Sequence, residues 1–300
     1  MKQMLFIINP RSGRAQIKNR LLDILDIFAK ADFQVQVHIT QRALDAKETV
    51  IQEGRGKDLI VCSGGDGTLN ETISGMMELR HCPQLGYIPA GSTNDFASSL
   101  RIPRQMRAAA QVAAEGMAYP IDIGQFCGER YFVYVAGFGA FTEVSYLTSQ
   151  DKKNLLGHQA YVLEGVKSLT SIKSYHMKVT GEETEIEGEF IFGMITNTIS
   201  VGGFKGLVNQ HVALNDGLFE VLLIRTPRTP MELSNIVSGL LLKEEHNDLV
   251  YKFKTKSLKL EADEPVDWVL DGEFGGSHTE VYVENLYRRM EIRRNLPLKL

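Results

Sequence analysis

The chain has 300 residues, which allows one or two domains with ample core and excludes a small scaffold held by disulfides or metal. With 43% hydrophobic and 23% charged residues and only 9 prolines, it lacks the bias of disordered, collagenous or coiled-coil chains. The 33 basic and 37 acidic side chains leave a formal charge of -4, so a generally basic nucleic-acid binder is excluded and any basic surface is local.

No apolar run approaches the roughly 18–20 residues that cross a bilayer, and Met4 to Ile8 is too short for a signal-peptide core. We therefore expect a cytoplasmic protein. Cys62, Cys82 and Cys127 are odd in number and far apart, with no CxxC pair, and are read as reduced thiols. Cys62 lies in an apolar run and is expected to be buried.

In chain order, the run Met4 to Ile8 ends in Asn9-Pro10-Arg11-Ser12-Gly13, and Ile17, Leu21, Leu25 and Phe28 follow at helical spacing. That pattern predicts strand, loop, helix. Phe33, Val35, Val37 and Ile39 then alternate with polar residues, a helix is expected from about Asp45 to Gln52, and Leu59 to Cys62 forms a second buried run. A helix from about Thr68 to Leu79, a short strand near Leu85 to Ile88 and a helix from about Arg104 to Glu115 continue the alternation. Such alternation implies βαβ units, so we expect an α/β protein whose N-terminal domain, residues 1–127, is doubly wound and mostly parallel.

After about Asp122 the texture turns to strands, at Tyr131 to Val135, His176 to Thr180, Glu189 to Thr196, Phe219 to Ile224, Tyr251 to Leu260 and Glu280 to Val283. Only two helical windows interrupt them, around Gln159 to Leu169 and Met231 to Leu242. Residues 128–300 are therefore expected to form a β-rich, sandwich-like second domain, with the tail from about residue 286 returning to the first. Within Tyr251 to Leu260 the apolar phase shifts, which predicts a bulge.

The most informative stretch is Gly64-Gly65-Asp66-Gly67-Thr68-Leu69-Asn70-Glu71, directly after a buried strand and directly before a helix. Glycines let backbone approach a phosphate closely, and the helix N-terminus offers unpaired N–H groups at its positive end. A plain αβ turn capped by Thr68 would look the same in isolation. The chain has neither GxxxxGK[ST] nor GxGxxG, since Gly137-Phe138-Gly139 runs on into Ala140, Phe141 and Thr142. Asn9 to Gly13, the turn at Thr40, and Pro89-Ala90-Gly91-Ser92-Thr93-Asn94-Asp95 also fall where a parallel sheet places strand ends, which is where ligands bind.

The run GGDGTLNE, with NPRSG before it and PAGSTNDFA after it, resembles the diacylglycerol kinase catalytic family, specifically its soluble bacterial lipid kinases. GGDGT alone is shared with NAD kinases and loosely with phosphofructokinases. The later Leu214-Asn215-Asp216-Gly217-Leu218 and Leu270-Asp271-Gly272-Glu273, in this order and over nearly the whole chain, favour lipid kinase.

The resemblance implies that Asn9, Thr40, the loop Gly64, Gly65, Asp66, Gly67, Thr68 to Glu71, and Ser92 or Thr93 bind ATP; Ser92 stands where the family usually has Thr, and keeps a hydroxyl. It implies that Asp66, Asp95 and Asp122 join an aspartate, water and Mg2+ network near the nucleotide, consistent with the need to neutralise phosphate charge. In LDGE two carboxylates flank a glycine; the resemblance makes one of them the general base, Asp271 first and Glu273 close behind. It also implies a structural Mg2+ at Asp216 with the carbonyls of Ala213 and Leu218, a position otherwise read as a hairpin turn.

The 7 histidines show no HxxxH or HExxH spacing, so zinc is not expected. Lys252, Lys254 and Lys256, and Arg288, Arg289, Arg293 and Arg294, are read first as solvated faces, although basic clusters help an enzyme visit an anionic membrane by about 1 kcal/mol per well-placed charge. The reading is an ATP- and Mg2+-dependent lipid kinase that phosphorylates diacylglycerol to phosphatidic acid in a cleft between domains. Its partners are the lipid, a transient membrane surface and, by resemblance, a second copy in a homodimer. Gly137 to Phe141 and Ser200 to Phe204 are candidates for the acyl groove. A kinase of another hydroxyl lipid, such as a sphingoid base or phosphatidylglycerol, and a nucleotide-binding regulator without turnover remain alternatives.

Overall fold

A computed structural model of the chain describes residues 1–91, 94–140, 173–198, 200–201, 204–205, 212–242 and 248–295. Its first half is built on β1 (Lys2–Ile8), β2 (Phe33–Ile39), β3 (Leu59–Gly64) and β4 (Gln84–Pro89). All three pairings among them are parallel, in the order β4-β3-β1-β2. The burial explains the sequence texture: Met4 to Ile8 and every residue of β3 are buried, as strands covered on both faces must be, whereas the edge strand β2 is largely open.

The connecting helices are α1 (Leu21–Lys30), α2 (Asp45–Glu53), α3 (Asp66–Met77), α4 (Asp95–Ser99) and α5 (Met106–Glu115), with a 3-10 turn over Gly13–Asn19. α1 packs on α5 and α2 on α3. Helix α3 begins two residues earlier than its apolar pattern predicts, because Gly65, extended at φ -87 and ψ -173, is its N-cap. The short α4 lies in a stretch whose periodicity predicts no helix.

The strand-rich half comprises β5 (Met117–Phe126), β6 (Arg130–Phe132), β7 (Val135–Gly139), β8 (Tyr175–Gly181), β9 (Glu185–Thr196), the ribbon β10 (Ser200–Val201) and β11 (Phe204–Lys205), β12 (Phe219–Arg225), α6 (Pro230–Leu242), β13 (Val250–Thr255), β14 (Ser257–Leu270) and β15 (Glu273–Arg294). A second apolar core fills it, where Trp268 meets Phe126 at 5.3 Å and Phe138 at 5.0 Å between ring centroids.

One expectation changes here. The predicted single strand Tyr251 to Leu260 with a bulge is two strands: the chain breaks at Lys256, β13 pairs with β12, and β14 pairs with β15, β8 and β7. The phase shift marks a change of neighbours, so each piece buries a different set. The strand-rich half is also joined to the first sheet by hydrogen bonds, through β15, whose Ile292 stands opposite Leu85 of β4 in parallel register. The predicted helix around 159–169 lies outside the described residues, and among those described no helix is long and apolar enough to cross a membrane.

Candidate active site

The loops after β1, β3 and β4 meet at the carboxyl ends of the parallel strands. Asn9 N–H donates to the Ser63 carbonyl at 2.9 Å and Ala90 N–H to the Gly64 carbonyl at 2.8 Å. The Asn9 side chain donates to the Thr68 hydroxyl at 3.0 Å and accepts from the Arg11 N–H at 3.0 Å. Side chains are excluded where these loops cross: a Cβ on Gly91 would sit 2.7 Å from the Gly65 Cα, so two glycines let backbone pass against backbone beneath the N-terminus of α3. The unpaired N–H groups of that terminus suit an anion. Ser92 and Thr93 lie outside the described residues.

Two predicted nucleotide ligands make hydrogen bonds within the protein. Thr40 donates its N–H at 2.9 Å and its hydroxyl at 3.3 Å to the Ile8 carbonyl. Glu71 accepts from the Leu44 N–H at 2.9 Å and the Ala46 N–H at 3.3 Å and so fastens the start of α2, while burial first, and then the charge of Glu273, raise its carboxyl. Leu44, at φ +64, needs that support.

Asp66 opens α3 beside Asp95, which is buried and opens α4. Burial first, then the charges of Asp95 and Asp271, push the Asp66 carboxyl up to about 7, against the backbone N–H groups of Asp95 and Asn94 that hold it down. Its Oδ1 is buried with no hydrogen-bond partner among the described residues. An orphaned carboxylate oxygen among like charges is the arrangement that a cation or a proton relieves.

The LDGE motif is a hairpin turn and part of the site at once. Asp271 and Gly272, at φ +51 and +88, join β14 to β15 as the two positive-φ residues of a tight turn. Asp271 is 3% exposed. Its Oδ1 accepts from the N–H groups of Tyr134 at 2.9 Å and Val135 at 3.0 Å, and its Oδ2 from Val133 N–H and Asn70 Nδ2, both at 2.7 Å. Burial raises its carboxyl, and these four donors oppose the rise. Glu273, two residues on, is exposed, and its Oε1 stands 3.1 Å from where a Cβ on Gly67 would lie. The strand-rich half thus places an exposed carboxylate against the glycine loop of the first half.

Asp122 falls elsewhere than the nucleotide loops. It is fully buried and accepts from Arg288 N–H at Oδ1 and Gly217 N–H at Oδ2, both at 2.7 Å, which ties β5 to the Asn215-Asp216-Gly217 turn. Asp216 accepts from Leu218 N–H at 3.1 Å and from the Lys254 ammonium at 3.4 Å; Lys254 also pairs with Glu220 at 3.0 Å. Glu220, 1% exposed, is pushed up to about 7, by burial first and then by Asp216. Asp216 thus faces a backbone donor at one oxygen and a cation at the other. No group of three or more metal-binding side chains occurs among the described residues.

The sequence reading missed Asn70 as a ligand of Asp271, Tyr134 and the amides of Val133 to Val135. Asn70 lies within the quoted GGDGTLNE run, but backbone amides carry no side-chain signal. Tyr134, 7% exposed, has its hydroxyl 3.7 Å from the Cβ position of Gly272, and burial with the charges of Asp271, Asp66 and Asp95 keeps it protonated.

A family model described as diacylglycerol kinase catalytic domain matches residues 3–126. A diacylglycerol kinase of Bacillus subtilis (strain 168) is 37% identical over 299 residues, covering 97% of this chain and 96% of the relative. One of Staphylococcus saprophyticus is 32% identical over 304 residues, covering 97% and 98%. A crystal structure of a diacylglycerol kinase from Bacillus anthracis str. Sterne superposes with a TM-score of 0.76 at 22% identity, covering 98% and 97%. A second structure from that strain reaches 0.82 at 25% identity, covering 98% and 95%.

Proposed function

Because the chain belongs to the diacylglycerol kinase family, we propose that it transfers the γ-phosphate of ATP to the hydroxyl of diacylglycerol, giving phosphatidic acid and ADP. The observation that carries this reading is the approach of Glu273 to Gly67, which brings the LDGE turn of the strand-rich half onto the glycine-rich loop. A nucleotide would lie on the loops of residues 1–127, with its phosphates over the α3 N-terminus and its neighbours drawn from Asn9, Gly64 to Thr68, and Ser92 or Thr93. The helix pairs α1 with α5 and α2 with α3 support a doubly wound arrangement of that half.

Glu273 is the general base. A base needs a lone pair aimed at the proton it takes, and all four donors around Asp271 point inward, whereas Glu273 is open beside the loop. As the lipid oxygen bonds to the γ-phosphorus, its proton passes to the Glu273 carboxylate, and the β,γ-bridging P–O bond breaks to release ADP. Asp66, with its orphaned Oδ1, and Asp95 are the residues that would hold Mg2+, which supplies charge neutralisation at the phosphates. At the LNDGL turn, Asp216 with the carbonyls of Ala213 and Leu218 would hold a second Mg2+ in a structural role, and Lys254 faces the same carboxylate.

The test is ATP consumption by the purified protein with Mg2+ and diacylglycerol in mixed micelles, against a sphingoid base, phosphatidylglycerol, NAD and no acceptor. Diacylglycerol-dependent turnover is expected. Turnover with another acceptor alone, or nucleotide binding with no turnover, overturns the assignment.

A further inference from the structure

Asn70 lies one helical turn after Asp66, on the same face of α3. Both of its N–H donors are committed across the molecule: one to Asp271 Oδ2 at 2.7 Å, the other to the Tyr131 carbonyl at 3.0 Å. Its own oxygen is approached by the Ser74 hydroxyl at 3.5 Å. The remaining three donors to Asp271 are backbone N–H groups of residues 133–135, which belong to the strand-rich half. Asn70 is therefore the one side chain of the glycine-loop half that holds this carboxylate among the described residues. The same loop passes Glu273 at Gly67, so a single helix both carries the anion-binding N-terminus and latches the turn that presents the base.

We propose that Asn70 is a positioning residue for the phosphoryl transfer, which acts through Asp271 to hold the LDGE turn in register with the glycine-rich loop. The proposal rests on the lipid kinase reading above. Its residue type fits the role. A lysine or arginine here would neutralise Asp271 and add charge beside Asp66 and Glu273, whereas a neutral amide fixes the orientation of the carboxylate and leaves the field of the site unchanged. Because three donors remain without it, the turn should still fold, and what is lost is alignment. Small misplacements of a reacting group cost roughly 100-fold in rate.

Asn70→Ala and Asn70→Leu test this together. Asn70→Leu keeps the size and roughly the shape and adds no charge, so an effect of lost volume is separated from loss of the donor. Both should lower kcat with diacylglycerol by roughly 10- to 100-fold and leave KM for ATP within about twofold. In an Asp271→Asn background, Asn70→Ala should add nothing further, because the two act as one unit. Wild-type kcat in both variants, a loss confined to KM for ATP, or additive losses in the double variant overturns the proposal.

A readout that needs no turnover keeps it apart from the functional assignment. Hydrogen exchange at the amides of residues 133–135 should be faster in Asn70→Ala than in the wild type, whatever the acceptor is. Unchanged exchange there overturns the latch even if the lipid kinase reading stands. Faster exchange in a protein that phosphorylates no lipid upholds the latch and overturns only the reading of function.

Discussion

Asp271 and Glu273 stand two positions apart, yet one is 3% exposed under four hydrogen bonds and the other is open beside Gly67. Their types are equivalent on paper, and the donors around each decide what it can do. Glu273→Gln removes a proton acceptor and disturbs no described hydrogen bond, so kcat should fall by roughly 100- to 10,000-fold with nucleotide affinity retained. Asp271→Asn replaces one acceptor oxygen by a donor facing N–H groups, so it should cost both turnover and about 1–3 kcal/mol of stability. Measuring kcat beside urea midpoints for the two variants separates the roles; a full-strength Glu273→Gln enzyme would remove Glu273 as the base. The sequence showed that the pair belongs together, but which of the two is free depends on amides more than a hundred residues away.

At the scale of elements, α3 illustrates how far local pattern reaches. Its apolar spacing and the glycines before it were legible, because periodicity and backbone permissiveness are properties of the segment itself. Its partners were not: Glu71 caps α2, and Asn70 reaches Asp271 across 201 positions. The crossing of Gly65 and Gly91 makes a testable point about such loops. Gly91→Ala would set a Cβ 2.7 Å from backbone and 2.9 Å from the Asn94 side chain, neither of which can yield cheaply. The loops should part, and ATP affinity measured by calorimetry should fall by at least roughly tenfold, about 1.4 kcal/mol. The 251–260 segment teaches the converse, since a phase shift in the apolar pattern marks a strand break as readily as a bulge, and only the neighbours distinguish them.

For the whole molecule, β15 is the joining element. It runs antiparallel to β14 and β5 and ends parallel to β4. Arg293 fastens that end, donating to Gln84 Oε1 at 2.9 Å, the Ala113 carbonyl at 3.2 Å and the Ala114 carbonyl, while its guanidinium lies 5.6 Å over the Phe33 ring. Its site is half-buried, so Arg293→Ala should leave carbonyls of α5 without partners and lower stability by about 1–3 kcal/mol. Unchanged denaturant midpoints would show that this end of β15 contributes nothing to holding the halves together.

By itself the sequence determined the class of chemistry and the materials for it. Buried runs, helical periods and glycine-rich strand ends are local quantities, and the ordered motifs from Asn9 to Glu273 carried the resemblance that the family match bears out. Tertiary structure alone decided which carboxylate of LDGE is saturated, that Asp122 stands at the LNDGL turn, that Lys254 faces Asp216, and that both halves share one hydrogen-bonded network. The physical reason is common to all four. Each is settled by which distant backbone N–H or charged side chain comes within hydrogen-bond or ion-pair reach of a polar group, and that pairing exists only once the chain has folded.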